Sequence, residues 1–222
     1  YGVQVSGTIP PRTRAFAGYG LGLIGYQAGD ETRAQINQAL VKLLDGEGKQ
    51  LGTREVQVAS VISMGLTPLP FDPAAVPAVN DPKTGPGWPR PAHVSTRQDQ
   101  IAFLMNYFED ARTNSFLISA HVPMAVARLL ADVPGDHALR ALAATRLLQD
   151  TKKLSEAATE IKQSCVQALG VIGDCDEDPI DVEIRNALVQ CGEELADTQA
   201  KRFALIALGY TMVYGVLRFI NF

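Results

Sequence analysis

The last 20 residues, FALIALGYTMVYGVLRFINF, constrain the fold most, because they carry no acid, no proline and a single base, Arg218. The uncharged part, Phe203 to Leu217, is 15 residues long. That is about 22 Å as a helix, whereas a full bilayer span takes roughly 20 residues. Lys201, Arg202 and Arg218 stand where they reach the two interfaces, and Tyr210, Tyr214, Phe219 and Phe222 are available as aromatic anchors. A marginal span and a helix covered by protein both remain open. Membrane contact through Phe203, Leu205, Ile206, Tyr210, Tyr214 and Leu217 is the expectation.

A second uncharged run, Ala15 to Gly29, is also 15 residues long. Gly18 and Gly22, then Gly25 and Gly29, form two GxxxG spacings, which on a helix admit the close approach of another backbone. These glycines are therefore candidate partner-binding residues, and 15–29 is a second candidate membrane contact. Gly20, Gly22 and Gly25 also spell a dinucleotide fingerprint. That fingerprint needs a hydrophobic strand before it, and Pro10, Pro11, Arg12 and Arg14 occupy that place. A glycine-rich loop or a short buried helix is the plainer alternative.

Asp30 is placed to cap a helix from Glu31 to about Leu44, with Ile36, Leu40, Leu43 and Leu44 on one face. The uncharged run from Val56 to Phe71 is interrupted by Pro68 and Pro70, which favours a short helix or strand over 54–65. Eight of the 13 prolines lie between Pro68 and Pro91, with the only tryptophan, Trp88, in GPGWPRP. Such a segment forms neither helix nor central sheet, and ordering it costs entropy that only a broad contact surface offsets. The expectation is an extended arm on a neighbouring subunit, with Trp88 as its anchor.

From Ser95 onward the pattern is helical. Ser95 or Thr96 caps a helix to about Ala111, and a further helix from Asn114 meets Pro123 and continues to Leu130. Residues 137–169 and those following Pro179 repeat apolar side chains at three- and four-residue steps on either side of an acidic turn. This predicts a long antiparallel hairpin centred near Asp174, with Phe203 to Leu217 lying beside 131–145. The fold class is all-α: a helical hairpin or bundle with an extended proline-rich arm and one or two apolar helices. The divisions are 1–65, 66–95 and 96–222.

The acidic turn holds Asp174, Asp176, Glu177, Asp178, Asp181 and Glu183. A calcium loop would need glycine where Pro179 stands and glutamate where Arg185 stands, so the plainer account makes Asp178 an N-cap and Pro179 the first helical residue. Cys165 and Cys175 are spaced as Cx9C, which resembles one half of the twin Cx9C pattern of mitochondrial intermembrane-space proteins; the second half is absent. Cys165 and Cys191 read as buried thiols. There is no CxxC pair for zinc, and the histidines, His93, His121 and His137, are scattered.

No HExxH, GxSxG or GxxxxGK[ST] occurs, so no catalytic, cofactor or metal residue is assigned. A net charge of −4 with no basic cluster argues against nucleic acid. The chain begins at Tyr1, which reads as a processed form and permits secretion or organelle import. The expected role is a non-catalytic accessory subunit of a membrane-associated assembly, with other subunits as partners. A mitochondrial inner membrane is the expected location and a bacterial envelope the alternative. A soluble helical virion or secretion-machine component, and an enzyme using the acidic turn, are the competing readings.

Overall fold

A computed structural model describes residues 9–45, 53–79, 87–110, 115–152, 158–195 and 197–220, without the side chains of 152 and 212–220. Among the described residues all regular structure is helical. The chain divides into two compact units, residues 1–129 and 130–222.

The first unit opens with α1 (Pro11–Gln27), whose starting proline supplies a φ already suited to the first helical turn. α2 (Asp30–Asp45) begins with Asp30 and Glu31 at its positive end and buries Ile36, Leu40 and Leu44 on the expected face. α3 (Arg54–Leu66) fills the stretch read as a short helix or strand. The contacts Gly18 to Ala59, Gly22 to Ser63 and Gly25 to Thr67, the last at the C-cap of α3, advance together along both helices, so α1 and α3 run parallel. Gly20, open on its own side, sits within α1, so the fingerprint glycines form a helix and not a phosphate-binding turn.

The proline-rich segment is held by its own chain. α4 (Arg97–Glu109) starts with a capping box between Thr96 and Asp99, and its first turn grips the extended stretch beside it. The Arg97 amide donates to the Pro70 carbonyl at 2.9 Å, and the Arg97 Nε donates to the Leu69 carbonyl at 3.1 Å. The Gln100 amide donates to the carbonyls of Met64 and Thr67 and to Asn37 Oδ1 at 2.7 Å, while its oxygen accepts from the Leu69 N–H. Asn37 closes the network by donating to the Thr67 carbonyl at 2.9 Å. Polar groups this deeply buried are stable because each has a partner.

Trp88 likewise lies inside its own unit at 1% exposure. Its backbone N–H donates to the Glu109 carboxylate and its carbonyl accepts from Asn106 Nδ2 at 2.8 Å. The arm expected on a neighbour thus has its anchor at home, because α4 presents polar side chains that satisfy the backbone of a proline-rich strip. Residues 80–86 lie outside the described residues. α5 (Phe116–Ser119) and α6 (Val122–Leu130) complete the unit, and Pro123 stands in the first turn of α6, where its missing N–H costs nothing.

The second unit contains α7 (Ala138–Lys152), α8 (Thr159–Ile172), α9 (Pro179–Glu194) and α10 (Thr198–Ile220). The single helix expected over 137–169 is therefore two, α7 and α8, packed on each other. α10 packs on α8 and α9, whereas the hairpin register placed it beside 131–145. The register assumed two continuous helices, and breaks before Thr159 and Thr198 remove that condition. Among the described residues no helix is long and apolar enough to cross a membrane.

Candidate functional site

α1 buries its small residues and exposes its large ones. Ala15, Gly18, Gly22 and Gly25 recur at three- and four-residue steps and face inward. A Cβ on Gly22 would meet the Ser63 Cα at 2.8 Å, and one on Gly25 would meet the Thr67 hydroxyl at 2.6 Å. The Ser63 hydroxyl donates to the Gly18 carbonyl at 2.9 Å. The surface used by these three candidate partner-binding glycines is thus occupied by α3 of the same chain. Gly29 has nothing near it and links α1 to α2, and Arg33 secures that corner by donating to the carbonyls of Gly25 and Tyr26.

The outward side of α1 carries Phe16, Leu23, Ile24 and Tyr26, exposed at 71, 65, 59 and 59%. A helix on a water-facing protein surface ordinarily shows the reverse arrangement. Full burial of one such side chain is worth about 1.5–3 kcal/mol, so the face represents a substantial unspent driving force for association.

α10 repeats the arrangement in the other unit. Ala200, Ala204, Ala207 and Thr211 are buried at four-, three- and four-residue steps, while Leu205, Ile206 and Tyr210 are exposed at 64, 54 and 54%. Phe203 is half-buried. Tyr214 and Leu217 fall within α10, and their side chains lie outside the described residues. Of the residues expected to contact a membrane, Leu205, Ile206 and Tyr210 therefore share an exposed surface.

Beside the N-terminal end of α1 is a cavity of about 490 Å³, with Arg12, Arg54, Tyr19 and His121 among its lining and Phe16 and Leu117 as apolar wall. Burial, aided by the nearby Arg128 charge, pushes the His121 pKa down. Glu55 also lines the cavity; its own backbone N–H holds its pKa below the ordinary carboxylate value, and the nearby Thr53 hydroxyl and the Arg54 and Arg12 charges add to this. Of the two arginines, Arg12 was legible in the sequence only as a residue that displaces a strand, and Arg54 carried no signal. Their relation to the stripe Phe16, Tyr19, Leu23 follows from helical spacing: each lies three or four residues from the last, starting at Arg12.

The acidic turn is organised around a buried base. Arg140 donates to both oxygens of Asp181, at 2.8 and 2.6 Å, and also to the carbonyls of Ile172 and Gly135. Burial acts to lower the Arg140 pKa, but Asp181 and Asp174 outweigh it and keep the guanidinium charged. Asp174, Asp176 and Asp181 place ligand atoms within 4.8 Å of one another. Arg140 already supplies the compensating cation, so this donor set does not fit a metal ion. Asp178 occupies the N-cap position of α9 without a side-chain cap bond, and Asp181 in the first turn serves Arg140 instead.

Cys165, Cys175 and Cys191 are free thiols. Cys165 and Cys191 are buried, as read from the sequence, and burial pushes both thiols up, away from the reactive thiolate. His93 is exposed, and His137 accepts the Leu139 N–H, a local turn contact. No family model, curated protein or solved structure matches the chain.

Proposed function

We propose that the chain is a non-catalytic accessory subunit of a membrane-associated multiprotein assembly, docked through the outward faces of α1 and α10. The observation that carries this reading is the reversed burial: on α1 glycine and alanine lie inside and phenylalanine, leucine, isoleucine and tyrosine outside, and on α10 alanine lies inside and leucine, isoleucine and tyrosine outside. Small residues let helices approach closely where the surrounding medium is itself apolar, and large apolar side chains then face that medium or a partner. In this reading the helices of 130–222 act as a bundle that presents α10, and the proline-rich strip stiffens the unit that presents α1. An energy-converting organelle membrane is the proposed setting, on the Cx9C spacing of Cys165 and Cys175, which stand as free thiols, and a bacterial envelope is the alternative.

Native membranes solubilised in mild detergent and separated by size test the reading. The chain is expected to co-migrate with a much larger assembly, and Leu205→Asp together with Ile206→Asp is expected to release it. A chain that migrates alone, in the soluble fraction and after gentle solubilisation alike, overturns it.

A further inference from the structure

We propose that the cavity beside Arg12 and Arg54 seats the phosphate of an anionic phospholipid, whose apolar part lies along the outer stripe of α1. The inference rests on the membrane-associated reading above. Arg12, Phe16, Tyr19, Leu23 and Tyr26 follow at four-, three-, four- and three-residue steps, so a base and four aromatic or aliphatic side chains share one line. From Arg12 to Leu23 that line runs about 16 Å. Arg54, at the start of the parallel helix α3, joins Arg12 at the cavity. Glu55 offsets one of the two charges, which leaves this end positive on a chain whose net charge is −4.

A ligand complementary to both parts is an amphiphile with an anionic head. A free phosphate would use only the basic end, and an apolar helix of another protein only the stripe. Guanidinium groups suit phosphate because their planar N–H pairs match two of its oxygens. Apolar side chains entering the headgroup and acyl boundary supply the remaining affinity, as on helices that lie in the plane of a bilayer surface. Tyr19 and Tyr26 suit that boundary, with an apolar ring and a polar tip.

The test is flotation of the full chain with vesicles of phosphatidylcholine alone, or of equal parts phosphatidylcholine and phosphatidylglycerol. Preferential binding to the second composition is expected. The double substitution Arg12→Ala and Arg54→Ala should lower that binding about thirtyfold, the effect of two interfacial charges, and leave the melting curve unchanged because both side chains are exposed. Leu23→Asp should weaken binding to both compositions, and inorganic phosphate should not compete.

Equal binding to the two compositions, or an unaffected double variant, overturns the proposal. Self-association abolished by Leu23→Asp, with no vesicle binding, would assign the stripe to a second copy of the chain and overturn it equally. If lipid discrimination is missing while the native chain still co-purifies with a large assembly, the lipid inference alone fails. If the chain joins no assembly, the reading beneath it fails.

Discussion

Gly170 of α8 and Ala207 of α10 meet backbone to backbone: a Cβ on Gly170 would lie 2.6 Å from the Ala207 Cα. The approach lets α10 seat its alanines and turn Leu205, Ile206 and Tyr210 outward. Gly170→Leu should therefore push the helices apart at a cost of roughly 1–3 kcal/mol or more. Gly209 on the same helix faces open space, so Gly209→Ala should raise stability by up to about 1 kcal/mol. Thermal melts of the two variants, moving in opposite directions, check the assignment of inner and outer faces.

Removing Arg140 leaves Asp181, at 0% exposure, without its cation. Arg140→Ala should cost about 3–5 kcal/mol, whereas Arg140→Leu combined with Asp181→Leu should recover much of that loss. Denaturant titration of the single and double variants measures the difference. Full loss in both would mean that the bonds to Ile172 and Gly135 dominate.

Trp88→Ala should cost about 3–5 kcal/mol in the isolated chain, because the ring is a core element of residues 1–129. Its effect on assembly should follow from that instability alone. Weakened assembly with an unchanged melting curve would return Trp88 to a neighbouring subunit.

Acid should weaken the start of α4. Burial pushes the Asp99 carboxyl up, but hydrogen bonds from the Thr96 hydroxyl and the Ser95 and Thr96 amides outweigh it, and its pKa is lowered overall. A carboxyl with a depressed folded pKa contributes stability above its unfolded value, and that contribution disappears as the pH falls below about 4. Asp99→Asn should flatten this part of the pH dependence, and Thr96→Ala should remove about 1 kcal/mol at neutral pH. Urea midpoints followed from neutral to acid pH read both effects.

The helical character of the chain was legible wherever apolar side chains recur on one face, as Ile36, Leu40 and Leu44 do in α2. The starts of α4, at the Thr96 cap, and of α9, with Pro179 as its first residue, were legible from equally local signals. The GxxxG spacing marked Gly18 and Gly22 as packing residues, but it carried nothing about which helix approaches them. That is decided by a contact with α3, distant in sequence. Trp88 and the proline strip were misplaced for a related reason. The carbonyls they present are satisfied by Asn106, Arg97 and Gln100, polar side chains whose burial no periodicity marks.

The parallel pairing of α1 and α3 also sets an order of events. The Ser63 hydroxyl and the Gly18 carbonyl that it reaches are 45 residues apart. Each glycine inside α1 lowers its intrinsic helicity by about 1 kcal/mol relative to alanine. Isolated helices of this length are marginal in water even with favourable sequences. During synthesis, α1 therefore gains its helix only once the ribosome has released α3, and until then its phenylalanine, leucine and isoleucine lack the partner that orders them.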